Sequence, residues 1–85
     1  MSTSCPTWLV RSPEDLGRAV AGVRHTRGLT QQQLSELADV ERTYLSRLEA
    51  GATAILLERA LRCLRRMGAE VTVTLPSDFH DGAKD

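Results

Sequence analysis

The sequence predicts a mainly α fold, a bundle of four to five short helices closed by one C-terminal strand. Three observations predict it. Apolar residues recur at helical spacing in four segments between residues 12 and 68. The second and third segments, within residues 29–51, are very short and meet across a tight turn, the arrangement of a helix-turn-helix. Alternation replaces the helical period at residues 70–75, Glu-Val-Thr-Val-Thr-Leu, where β-branched residues concentrate.

Residues 1–11 read as an N-terminal arm, polar at its start and broken by Pro6. Within it, Trp8-Leu9-Val10-Arg11 is a short apolar stretch, with Trp8 as a plug against the domain or a second copy. The domain proper spans residues 12–69. Ser12 can cap its first helix, Pro13 fits the first helical position, and Glu14 and Asp15 suit the positive end of the helix dipole. Leu16, Ala19, Val20 and Val23 form one helical face, and Gly28 ends the helix soon after Thr26.

Thr30 can cap the second helix, residues 31–38, whose apolar stripe is Leu34, Leu37 and Ala38. Asp39 falls in the turn, where a left-handed residue is often needed. The third helix, residues 41–50, carries Leu45 and Leu48 and stops at Gly51. The fourth is striped by Leu57, Ala60, Leu61, Leu64 and Met67, with Arg59, Arg62, Arg65 and Arg66 opposite. Leu56 and Cys63, seven apart, form a second apolar strip able to meet another chain.

The strand of residues 70–76 stops at Pro76 and cannot satisfy its backbone alone. Its partner is the segment 8–11, the same strand of a second copy, or both. Pairing across a homodimer is favoured, because a core with only Trp8, Tyr44 and Phe79 as aromatics is thin for 85 residues. Val71, Val73, Leu75 and Trp8 are then the expected dimer interface. Residues 77–85 are polar and acidic and read as a disordered tail.

Net charge is zero, but it is blocked: +2 over residues 1–29, −2 over 30–50, +3 over 51–69 and −3 over 70–85. Such balance excludes loose polyanion binding and leaves specific recognition open. Cys5, Cys63, His25 and His80 have no metal-ligand or disulfide spacing, no nucleophile, base and orienter assemble, and no Gly-rich phosphate loop occurs. An enzyme, a metal centre and a cofactor are therefore not expected. Without a membrane-length apolar run or a signal-peptide pattern, a cytoplasmic, nucleoid-associated protein is expected.

The helix-turn-helix carries the chemistry. A reading helix needs a polar outer face whose N-terminal half can enter the major groove. Arg42 and Arg47 can pair bidentately with guanine O6 and N7, Thr43 can meet a base edge or thymine methyl, and Tyr44 can donate to a phosphate. Gln31 can reach phosphate from the start of the second helix, and Arg24 and Arg27 are candidates for backbone contacts. Each of these residues alone would also suit a solvated helix surface; the constellation is what points to double-stranded DNA. The Arg59–Arg66 run reads better as a solvated face than as a phosphate track.

Leu29 to Ala38 (Leu-Thr-Gln-Gln-Gln-Leu-Ser-Glu-Leu-Ala), Val40, and Tyr44 to Gly51 (Tyr-Leu-Ser-Arg-Leu-Glu-Ala-Gly) resemble the lambda-repressor-like helix-turn-helix of the XRE (Cro/C1) family. The flanks, Ser12 to Val20 and Leu57 to Gly68 followed by a strand, resemble HipB-type antitoxins within it. The resemblance spans residues 9–76. It implies a lambda-repressor-like bundle and a homodimer on a palindromic operator in its own promoter. It also implies an antitoxin role toward a HipA-like kinase toxin, with no membrane partner. By motif position it assigns DNA contact to Gln31, Arg42, Thr43 and Arg47, with Tyr44 beside them. A stand-alone XRE-family repressor, or an interaction module that has lost DNA binding, are the alternatives.

Three positions depart from the family pattern. Asp39 replaces the turn Gly, Glu41 replaces the Ser or Thr cap of the reading helix, and Gly51-Ala52-Thr53-Ala54 lacks a phosphate-contacting Lys.

Overall fold

The computed structural model describes residues 5–52 and 55–76. Their order is β1 (Thr7–Val10), α1 (Pro13–Thr26), α2 (Gln31–Ala38), α3 (Arg42–Glu49), α4 (Ile55–Arg66) and β2 (Val71–Thr74). Four helices and a two-stranded sheet therefore make up the described part, in keeping with the expected bundle. The segment 77–85, expected to be disordered, lies outside the described residues.

Helix termini form where local chemistry places them. The Ser12 hydroxyl accepts the Asp15 N–H at 3.2 Å. The Asp15 carboxylate accepts the Arg11 N–H at 3.0 Å and Arg18 at 2.6 Å. The Arg11 N–H leads the interactions that lower the Asp15 pKa, against the opposing effect of desolvation. Thr30 and Gln33 close a reciprocal capping box on α2, so both satisfy donors at the helix start.

The core gathers Val10, Ala19 and Leu61, with Trp8, Leu16, Leu57, Val71 and Val73 packed around them. Leu45 and Leu75 are also buried. Close approach of α1 to α3 depends on Gly17, because a β-carbon there would run into the Leu48 carbonyl. Gly22 likewise leaves room for the Trp8 ring against α1. Gly17→Ala is expected to lower stability by about 1–3 kcal/mol, since the overpacking outweighs the better helix propensity of Ala. Denaturant unfolding checks this, and an unchanged or raised midpoint would show that α1 and α3 can shift apart freely.

β2 pairs antiparallel with β1, Trp8 opposite Val73 and Val10 opposite Val71. The favoured expectation was pairing with a second copy. Within the chain the segment 7–10 satisfies one edge, the first of the expected partners, because its own alternation places Trp8 and Val10 on the face that Val71 and Val73 share. β1 thus packs with the helices rather than standing apart from them. Trp8, Val71, Val73 and Leu75, expected at a dimer interface, turn toward their own chain's core.

Two helical stripes also differ from expectation. On α4, Leu57, Leu61 and Leu64 turn inward, whereas Ala60 and Met67 are exposed, Met67 at 74%. At 100° per residue these two lie nearly above Leu56 and Cys63, so they belong to the outer strip. On α2, Leu34 is half-buried but Leu37 is 74% exposed, being one turn further round from the α3 contact.

Candidate nucleic-acid interface

The turn between α2 and α3 is rigid for reasons written in Ser35 and Asp39. Asp39 takes the left-handed conformation, φ 59° and ψ 46°, as its place in the turn predicts. Its N–H and that of Val40 both donate to the Ser35 carbonyl, and the Ser35 hydroxyl donates to the Val40 carbonyl. Asp is one of the few side chains that tolerates this backbone, so the absence of Gly does not open the turn.

A buried ionic clamp then ties three helix ends together. Arg24, in the last turn of α1, donates from Nε to Glu49 Oε2 at 2.8 Å and from Nη2 to Glu49 Oε1 at 2.8 Å. Its Nη1 donates to the Leu29 carbonyl at 2.9 Å. Gln31, opening α2, donates its amide to Glu49 Oε1 at 3.1 Å. The two charged side chains are only 10% and 8% exposed. The Arg24 hydrogen bonds hold the Glu49 carboxyl below the usual carboxylate range, against the opposing effect of burial, and Glu49 in turn raises Arg24.

Arg24, expected to reach DNA backbone, is therefore spent inside the protein. Its planar fork matches a carboxylate two helices away better than water does. Glu49 is the residue sequence reasoning missed. It lies 25 positions from Arg24, and no local spacing rule pairs residues so far apart. Arg27 is half-buried at the end of α1 rather than displayed on the surface.

The outer face of α3 is different. Arg42, Thr43, Tyr44, Ser46 and Arg47 are exposed, while Leu45 is buried and Leu48 half-buried on the opposite side. Neither Arg42 nor Arg47 has an ion pair among the described residues. Glu41 occupies the N-cap of α3 without a side-chain cap bond and is exposed, as its poor capping chemistry predicts. Of the acids near this face, Glu49 is turned inward and Glu36 accepts the Gln32 amide at 3.0 Å. Gln31, half-buried, lies at the start of α2, where the first N–H groups have no partner within the helix.

The α4 arginines are exposed, and two of them are engaged: Arg62 pairs with Glu58 at 3.6 Å, and Arg65 donates to the Arg11 carbonyl. No described helix is long and apolar enough to cross a membrane.

A protein-family model described as helix-turn-helix matches residues 23–73, more than half of the chain. No curated protein and no solved structure matches it. The matched span runs from the end of α1 through the α2–α3 turn and α3 to β2. The chain belongs to the XRE-type helix-turn-helix family, and it is a DNA-binding regulator.

Proposed function

We propose that this regulator is a HipB-type antitoxin. In this reading it binds a palindromic operator in its own promoter as a homodimer and neutralises a HipA-like kinase toxin. The observation that carries the DNA-reading half is the outer face of α3, where two arginines are exposed and without ion pairs among the described residues. Charged side chains left in this state on a helix anchored by an internal clamp are ready to meet base edges and phosphates. Arg42, Thr43 and Arg47 read bases, Tyr44 meets phosphate, and Gln31 with the α2 N-terminus receives a second phosphate. The antitoxin half is supported by the resemblance of the flanks around residues 12–20 and 57–68, and by the strand that follows them.

The homodimer is supported by the second edge of β2, which has no strand partner among the described residues. Leu75 donates its N–H to the Pro6 carbonyl at 3.0 Å, so by alternation the Thr72 and Thr74 N–H groups point away from β1. An exposed edge of this kind is a template for another strand. Joining two copies edge to edge would set their reading helices at a defined separation, as a palindrome requires. Thr72→Pro removes an N–H that β1 does not use, and sedimentation should then show monomers. A variant that still sediments as a dimer would place the interface elsewhere.

Titration of the chain's own promoter with salt tests the DNA reading. Log K should fall linearly with log salt, at a slope of roughly −0.9 per phosphate contacted. Weak binding without salt dependence would favour the interaction-module reading, which the exposed Glu41 and the zero net charge favour.

A further inference from the structure

Two exposed apolar surfaces, on different helices, carry opposite charge. On α4, Leu56, Ala60, Cys63 and Met67 recur at i, i+4, i+7 and i+11, and all four are exposed, Leu56 at 83%. By helical period Arg59 and Arg66 run along one border of this strip, and neither has an ion pair among the described residues. At the end of α2, Leu37 is the most exposed of the leucines that line an apolar hollow between α1, α2 and the end of β2. Glu36, Asp39 and Glu41 surround it in the chain, all exposed and without ion pairs among the described residues. We propose that the α4 strip of one copy docks on the α2 end of a second copy, arginines against carboxylates, with Leu56 and Met67 against Leu37.

Three observations select a second copy as the occupant. The first is charge. Residues 51–69 carry +3 and residues 30–50 carry −2, so one chain holds both halves of an electrostatically matched pair. No other stretch of the described residues places three exposed acids within six positions, and Asp15 and Glu49 are held by Arg18 and Arg24. The second is the helix end. α2 has no basic residue in its last turn, so the negative end of its dipole lacks the cation that usually offsets it, and α4 brings arginine. The third is the misfit of the symmetric alternative. Two α4 strips face to face would set arginine beside arginine, and the one acid on α4, Glu58, already pairs with Arg62 at 3.6 Å. The contact is therefore head to tail, using a different patch on each copy. None of its residues lies in β2, so it adds copies to a dimer paired through that strand instead of replacing it.

Sedimentation of the full chain without DNA tests this separately from operator recognition. Repeating it in the Thr72→Pro variant tests it separately from β2 pairing. In both, mass should grow with protein concentration and shrink with added salt, as a contact between exposed charges requires. Arg59→Glu with Arg66→Glu, and Glu36→Arg with Glu41→Arg, should each weaken the association by roughly tenfold or more, because each sets like charges against each other. Mixing the two variants should restore it, since each then offers the surface that the other lacks. Misfolded chains could not be rescued in this way. Leu56→Ser should weaken the association with every charge intact. Mass that stays constant with concentration in the Thr72→Pro variant would overturn the proposal. So would a mixture no heavier than its components. Loss of association in the α4 variant while the α2 variant stays silent would seat α4 on a different surface, and would overturn it too.

Discussion

Arg47→Ala, or Arg42→Ala, is expected to weaken operator binding by about 1–3 kcal/mol, roughly 5- to 150-fold, and to relax selection at one base pair in each half-site. The expectation follows from what these side chains do in the free protein. Neither has an ion pair among the described residues, and both sit on the exposed side of α3 while Leu45 holds the other side in the core. Removing either should therefore leave the fold intact and subtract an interaction made only with DNA. Selection of random duplexes, repeated with each variant, measures both consequences. Relaxation at one position identifies a base contact. A uniform loss with a shallower salt slope identifies a phosphate contact instead. Unchanged affinity in both variants would remove α3 as the reader.

Glu49→Gln should lower Tm by about 5 °C or more and flatten the acid limb of the stability profile. Glu49 accepts bonds from Arg24 and Gln31 at once, so its loss of charge loosens α1, α2 and α3 together. The sign follows from the direction of the shift. Arg24 depresses the Glu49 pKa in the folded protein, below a reference of 4.5. The stabilisation is therefore complete above pH 4.5 and is lost as pH falls through the lower, folded value. Asp15 is depressed by the Arg11 N–H and contributes in the same direction, so the limb in Glu49→Gln should be shallower but not flat. A second comparison isolates the burial of charge. Arg24→Met combined with Glu49→Leu should recover much of the loss, because an apolar pair removes both charges, whereas Glu49→Gln strands one. A wild-type acid limb in the Glu49→Gln variant would show that the clamp does not couple to folding.

Operator affinity should respond to the same clamp. Gln31 is oriented through Glu49, so Glu49→Gln is expected to weaken DNA binding at neutral pH even where the protein remains folded.

Much of the helix-turn-helix was legible because its determinants are local. Ser12, Thr30 and Asp39 each act on backbone within a few residues, and the helix starts and the left-handed turn fall where those side chains predict. The outer face of α3 follows from the burial of Leu45 and the half-burial of Leu48, since a helix that commits one side to the core must present the other. Leu37 and Met67 were misplaced because helical period alone gives a stripe's spacing and leaves its edges undefined. The neighbour that a stripe meets decides which flank is covered.

The pattern of residues by itself determined four helices, a strand after them, a tight turn and a polar outer face on α3. These depend on periodicity and capping, whose range is a single turn. Only the tertiary structure decided that Arg24 belongs to Glu49, that β1 takes one edge of β2, and that an apolar hollow is left beside α2. Each of those joins residues far apart in the chain: 25 positions for Arg24 and Glu49, and 65 for Trp8 and Val73. Such partners are chosen by shape and desolvation once the helices have packed, and no spacing along the sequence encodes them.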